Sequence, residues 1–314
     1  MENIKVMNKY LFIINPSAGK YQAEKSIPEI ERLLQENSLN YDLIKTESAK
    51  HVYDLAYSAG DKGYDVVVAG GGDGTANEVL NALMTAKNEG KKIPKLGVIP
   101  LGRGNDFAAS MGIQPGLEKC IQVIVDGKGK LIDIGQVIGG NYPQGMFFGN
   151  GVGIGFDTIV GFEAAKLPAF LNGAPAYILG ALSTLFFHYE RPLLRIKLDN
   201  SEIEQSCAMV TTMNGIRLGG TFMIAPESKP DDGLFSLLIV EQSSRAKLLS
   251  LLVKVMGGTH AGHPLVKMPL SSRVEITALK GSLPVHADGE TICEKGDKIT
   301  LINLPRQIEL ITEG

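Results

Sequence analysis

Gly70-Gly71-Gly72-Asp73-Gly74-Thr75 follows a β-branched apolar run directly and precedes a helical pattern directly. Glycines lack a Cβ, so backbone can come within contact distance of a nucleotide and adopt positive φ. The helix behind them offers unpaired N–H groups and the positive end of its dipole to phosphate oxygens. The strand–loop–helix setting reads as a phosphate-binding loop. It has neither the lysine of a GxxxxGK[ST] loop nor the spacing of GxGxxG. An acid inside such a loop repels phosphate unless a metal ion or a transferable proton compensates. Asp73 therefore points to Mg²⁺ handling or proton abstraction. Glu78, one helical turn on, faces the same end.

Two further loops carry candidate groups. Leu101-Gly102-Arg103-Gly104-Asn105-Asp106-Phe107 also follows a strand. A helix cap at Asn105 or Asp106 explains part of it, but not two flanking glycines with both Asn and Asp. Asn15-Pro16-Ser17-Ala18-Gly19-Lys20 ends the first strand and on its own reads equally as an ordinary strand-to-helix turn. Late in the chain, Asp288-Gly289 is a frequent hairpin dipeptide and equally a carboxylate available for chemistry, with Glu290 beside it.

The elements that must hold these loops alternate over the first third. Tyr10–Ile14 is a near-continuous apolar strand, Ser26–Leu34 a helix with one apolar face, and Tyr41–Ile44 a strand. His51–Ser58 is a helix, Asp65–Ala69 the strongest strand, Thr75–Met84 a helix and Leu96–Ile99 a strand. Such alternation predicts an α/β domain with a doubly wound, mostly parallel sheet and ligands at the carboxyl ends of its strands. From Lys130 strands follow strands with hairpin turns, which predicts an antiparallel β-sandwich domain. The expected division is 1–130 and 131–302, with a C-terminal segment of about 303–314 able to return to the first domain.

At 314 residues, 44% hydrophobic and 21% charged, the composition is that of a soluble globular protein with a sizeable core. A net charge of −3 gives no reason to expect nucleic acid as a partner. An anionic membrane surface would have to be met by a local basic patch. Cys120, Cys207 and Cys293 are odd in number and scattered, which fits a reducing cytosol rather than disulfides or zinc. The N-terminal residues carry no signal-peptide pattern. Leu167–Phe187 has no charged side chain, but Pro168, Asn172, Gly173 and Pro175 interrupt it. It reads as a buried or membrane-grazing helix and not as a transmembrane span. In Ala246–Met256, Leu248, Leu249, Leu252, Val253 and Met256 are expected to share one apolar face. His260 and His263 read as loop residues, and His286 as a partly exposed polar residue beside Asp288.

Taken in order, these motifs resemble the diacylglycerol kinase catalytic family, which includes bacterial lipid kinases, sphingosine kinases and ceramide kinases. The resemblance is carried by NPSAGK at Asn15–Lys20, GGGDGTANEVLNAL at Gly70–Leu83 and PLGRGNDFA at Pro100–Ala108. It continues through NGVGIGFD at Asn150–Asp157, GG…IAP…DDG from Gly219 to Gly233, and DGE at Asp288–Glu290. GGDG alone is shared with NAD kinases and phosphofructokinases; the GNDF loop and the DGE separate this family from both.

The resemblance implies an NAD-kinase-like first domain and transfer of the γ-phosphoryl of ATP, with Mg²⁺, to a lipid hydroxyl in an interdomain cleft. Asn15, Gly71, Gly72, Gly74, Thr75, Glu78, Gly102, Asn105 and Asp106 would line the nucleotide and its metal. Asp288 would be the general base with Glu290 as a magnesium or orienting partner, although one branch gives the base role to the acid matching Asp73. Lys229, Asp232 and Leu234 match a structural metal run. The implied setting is the cytoplasm, with transient contact at the inner face of the membrane; an exposed strand edge in the second domain offers a route to a homodimer. Arg103 departs from the small residue usual in its place. A kinase of a soluble acceptor such as NAD, and a catalytically silent lipid- or nucleotide-binding regulator, are the alternatives.

Overall fold

The computed structural model describes residues 8–167, 174–187 and 191–313. The chain forms two compact units: one runs to Ile132 and resumes at Gln307, and the other is Asp133–Arg306.

The first unit is built from β1 (Lys9–Ile14), α1 (Ala18–Glu36), β2 (Asn40–Lys45), α2 (Ala49–Tyr57), β3 (Val66–Gly71) and α3 (Asp73–Asn88). It continues with β4 (Lys95–Pro100), α4 (Asp106–Ser110), α5 (Leu117–Asp126) and the start of β5 (Gly129–Gly139). β2, β1, β3 and β4 lie side by side in that order, all parallel. Every residue of β3 is buried, as a parallel strand covered on both faces requires. The helix faces beneath it are apolar: Ile27, Ile30, Leu33 and Leu34 of α1, Val79, Leu80 and Leu83 of α3. The strand order reverses direction between β1 and β3, the position where open α/β sheets bind ligands.

The second unit contains β6 (Tyr142–Phe148), β7 (Gly151–Gly155), α6 (Phe156–Ala165), α7 (Ala174–Phe187), β8 (Leu193–Lys197), β9 (Glu202–Met213) and β10 (Phe235–Glu241). After these come α8 (Arg245–Met256), β11 (Val266–Lys267), β12 (Leu270–Ser271), β13 (Arg273–Lys280), β14 (Leu283–Ala287), β15 (Glu290–Gly296) and β16 (Lys298–Ile311). β16 carries the chain back to the first unit, where Leu310 pairs in parallel with Leu96 of β4.

The unit is a β-sandwich of antiparallel strands. β9 is long enough to serve two sets of partners: its first half pairs with β8, and its second with β7 and β10. Its core packs Phe148 on Phe235 with ring centroids 5.6 Å apart, among Val152, Val210, Ile276 and Leu301. A second cluster seats Leu185 of α7 with Leu248, Leu251 and Val255 of α8.

α8 differs from its expected face. Leu248, Leu251 and Val255 are buried, while Leu249 and Val253 point outward at 37% and 66% exposure. Seven of its positions from Leu248 to Met256 are apolar, so the sequence pattern is nearly uniform and the adjoining core selects the face. Of Leu167–Phe187, residues 168–173 lie outside the described residues; the rest includes α7. Among the described residues no helix is long and apolar enough to cross a membrane.

Candidate active site

In the first unit three loops leave the carboxyl ends of neighbouring strands and lock onto one another. A Cβ on Gly71 would stand 2.3 Å from Thr75 Oγ1, so the bare glycine lets the first turn of α3 fold back over the strand end. Asn15 Nδ2 donates to that hydroxyl at 3.3 Å, while Asn15 Oδ1 accepts from the N–H and hydroxyl of Ser17. Thr75 is buried and shapes the loop from beneath. A Cβ on Gly19 would fall 2.5 Å from the carbonyl of Leu101, and one on Gly102 2.4 Å from Gly72 Cα. The chain thus passes backbone on backbone at both places. Gly19, Lys20 and Tyr21 are all left-handed, so regular α1 begins only after them.

Asn105 is left-handed at φ 50° and stands at the N-cap of α4 without capping it. Its side chain closes the glycine turn instead, Oδ1 accepting from Gly102 N at 3.0 Å and Nδ2 donating to Gly102 O at 3.1 Å. Asp73 Oδ1 accepts from Phe107 N at 3.0 Å, tying the first acid to the second loop. A Cβ on Gly104 would lie 3.0 Å from Asp73 Oδ2 and 3.7 Å from Asp106 Oδ2. Two carboxylate oxygens thus both approach Gly104, near the start of α3. α3 has no side-chain cap hydrogen bond, and a Cβ on Gly74 would meet nothing within 4 Å. Hard oxygen donors beside open N–H groups fit a divalent cation with a phosphate. Glu78 lies further along α3, half-buried.

In the second unit Asp288 is both a hairpin residue and a held carboxylate. Ala287 pairs with Glu290, leaving Asp288-Gly289 as a two-residue turn with φ of 46° and 90°, the positive values such tight turns demand. Its carboxylate accepts backbone N–H groups from Gly149 (2.7 Å), Asn150 (3.1 Å) and Gly151 (2.8 Å). Glu290, the first residue of β15, is exposed.

Lys229, Asp232 and Leu234 share one loop. Asp232 Oδ1 accepts from Leu234 N at 3.0 Å, and Lys229 and Asp232 are exposed. Among the described residues no group of three or more His, Cys, Asp or Glu side chains gathers round a metal position. The loop offers the carboxylates of Asp231 and Asp232 and backbone carbonyls, which suit a hard cation.

Two residues that the sequence did not single out hold these groups. Asp133, fully buried, accepts from Gly233 N at 2.6 Å and Arg306 N at 2.8 Å, and its own N–H donates to Pro230 O at 2.7 Å. Asn214, also fully buried, donates from Nδ2 to Asp133 O and Gly149 O, each at 2.9 Å, and from its N–H to Asn150 O at 2.8 Å. One amide thus braces both the peptides that grip Asp288 and the residue that pins the 230–234 loop. An acid in the middle of the apolar run Leu131–Ile138 was the available signal for Asp133.

His286 belongs to a recessed cluster. It pairs with Gly153 across β14 and β7, and Thr211 pairs with Gly153 from the other side. A Cβ on Gly153 would strike His286 Nε2 at 2.3 Å and Asp157 Oδ2 at 2.4 Å. Thr211 donates to Asp157 Oδ2 at 2.7 Å. Burial pushes the Asp157 carboxyl up, opposed by His286 and the Thr211 hydroxyl; burial pushes His286 down, opposed by Asp157. His260 is fully buried with Nε2 2.9 Å from Ile224 O, and burial likewise pushes it down.

The model for the diacylglycerol kinase catalytic domain matches residues 9–137, and that for the YegS C-terminal NAD kinase beta sandwich-like domain matches residues 150–312. A diacylglycerol kinase of Staphylococcus aureus is 30% identical over 95% of this chain and 90% of its own. One from Staphylococcus saprophyticus is 27% identical over 96% and 94%. The fold matches a diacylglycerol kinase structure from Bacillus anthracis at TM-score 0.73, 19% identity and 98% of both chains. An NAD kinase from Archaeoglobus fulgidus in complex with ATP shares the architecture at TM-score 0.52 and 14% identity, over 98% of this chain and 94% of its own. With both halves matched and nearly full-length relatives at this identity, the chain belongs to the diacylglycerol kinase family.

Proposed function

We propose that this lipid kinase transfers the γ-phosphoryl group of ATP to the hydroxyl of diacylglycerol or a lipid of similar chemistry, using residues of both units. The observation that carries the reading is that carboxylate oxygens of Asp73 and Asp106 both approach Gly104 in the glycine loops, within 4 Å of where its Cβ would stand. Asp73 and Asp106 would hold Mg²⁺, which supplies charge neutralisation on the phosphates when bound. Gly72, Gly74 and Gly102 give the backbone close access to the phosphates, and Asn15, Thr75 and Asn105 fix the loop shapes that make this possible.

A lipid hydroxyl is a poor nucleophile, so a carboxylate must take its proton as transfer proceeds. Asp288 is proposed for that role with Glu290 beside it. Three backbone N–H groups fix the Asp288 carboxylate in place. The loop of Lys229, Asp232 and Leu234 is proposed as a structural cation site, and the enzyme as cytoplasmic, meeting its lipid at the inner membrane surface.

The test is transfer from labelled ATP with Mg²⁺ to a panel of lipids in mixed micelles, with NAD as a soluble competitor acceptor. Label in one lipid and none in NAD is the expected result. Label in NAD alone would replace the acceptor class and leave only the phosphate loops standing.

A further inference from the structure

We propose that α8 and the end of α7 form the surface on which this enzyme docks to an anionic lipid bilayer. The proposal rests on the lipid-kinase reading, which requires a membrane to be met but does not say where.

α8 is apolar on two sides. Leu248, Leu251 and Val255 face the core. Ala246, Leu249, Ser250 and Val253 recur at i, i+3, i+4 and i+7 on the solvent side, all exposed. Phe186 and Phe187, at the end of α7, are 55% and 80% exposed. Arg245 joins the two helices, donating from Nε to Leu185 O at 2.9 Å and from Nη2 to Phe186 O at 3.3 Å. The exposed phenylalanines therefore sit at the start of α8, next to its outward stripe. Exposed large apolar side chains gathered in this way, Phe186, Phe187, Leu249 and Val253, mark an interaction site.

Charge selects the occupant. α8 carries Arg245, Lys247 and Lys254 and no acid over 12 residues, and α7 carries no charge over 14, in a chain of net charge −3. Lys247 and Lys254 are exposed and form no ion pair among the described residues. On α6, which packs against α7, Glu163 is held by Lys166 and by Ser183. An outward apolar stripe flanked by lysines is the pattern of a helix lying in a bilayer interface, with lysine stems along the apolar surface and ammonium groups at the headgroups. A symmetric pairing with a second copy would set the same lysines against each other, whereas anionic headgroups complement them.

The experiment is flotation of the full chain with phosphatidylcholine vesicles, with and without phosphatidylglycerol. Three proteins are compared: wild type, Lys247→Glu/Lys254→Glu and Phe187→Ser/Val253→Ser. All four positions are exposed, so both variants keep the core. Each juxtamembrane lysine is worth roughly fivefold in affinity, so the charge variant should bind phosphatidylglycerol vesicles at least about tenfold more weakly. The apolar variant should lose binding to a comparable degree. Phosphorylation of a short-chain, water-soluble diacylglycerol should stay unchanged in both.

Binding by wild type that ignores phosphatidylglycerol, or variants that bind like wild type, would overturn the proposal. So would a shift in sedimentation of the apolar variant with unaltered vesicle binding, since that identifies a self-association face. Loss of vesicle binding with no short-chain lipid phosphorylated by any of the three would leave the dock standing and remove the lipid-kinase reading.

Discussion

Single side chains in this molecule are held mainly by backbone. Asp288 is gripped by three peptide N–H groups, and Asn214 braces the peptides that do the gripping. Asn214→Ala leaves the carbonyls of Gly149 and Asp133 without that donor, inside a fully buried site. A buried group left unpaired costs about 1–3 kcal/mol, so the variant should lose about 2–4 kcal/mol in urea denaturation. Its kcat should fall more than its KM for ATP rises. Asn214 was not legible in the sequence, because its partners are main-chain atoms 65 and 81 positions away, and residue type says nothing about which peptides will arrive. Asp288-Gly289 was legible as two competing readings. The structure bears out the hairpin, and its left-handed turn aims the carboxylate at residues 149–151.

His286 shows the same gap between residue type and setting. Its neighbour Ala287 alternates with it into the core, but the sequence did not reveal that Asp157 would come to lie over Gly153 beside it. Burial depresses His286 in the folded state relative to its ordinary value of 6.5. A depressed histidine leaves stability intact above about 6.5 and removes it as pH falls, because the unfolded chain then binds the proton more readily. Thermal midpoints should therefore drop between about pH 7 and 5. They should drop less steeply in His286→Gln, with His260 supplying the remainder. A parallel slope in that variant would show that His286 takes up its proton equally in both states, which contradicts the depression by burial.

At the scale of elements, the loops at the ends of β1, β3 and β4 were readable because parallel strands and amphipathic helices have different periods and glycine marks the joins. α8 was misread for the opposite reason: where nearly every residue is apolar, the pattern holds no direction. Two glycines separate architecture from ligand contact. Gly102 must lack a Cβ because Gly72 Cα would stand 2.4 Å from it, so Gly102→Ala should distort the loops and lower stability. Gly74 has open space and no positive φ. Nothing inside the fold forbids a side chain there, and the proposed nucleotide contact gives its glycine a reason. Gly74→Ala should hold or raise stability, by up to about 1 kcal/mol, yet weaken ATP binding at least about tenfold as an added methyl crowds the phosphates. Calorimetry of ATP binding beside thermal unfolding separates the two glycines; equal ATP affinity in Gly74→Ala would remove this loop from the nucleotide site.

The whole molecule consists of a parallel α/β unit carrying glycine-rich loops and a β-sandwich carrying a fixed carboxylate, and its net charge of −3 gives no general attraction to membranes. The most direct measurement is single-turnover phosphoryl transfer from ATP with Mg²⁺ to diacylglycerol in mixed micelles by wild type, Asp73→Asn and Asp288→Asn, each verified as folded. Wild type should phosphorylate the lipid, and each variant should be slower by about 10²–10⁴-fold, the usual contribution of a positioned general base or of comparable charge stabilisation. Transfer by Asp288→Asn at the wild-type rate would contradict the account, because the sandwich would then hold its acid for structure alone.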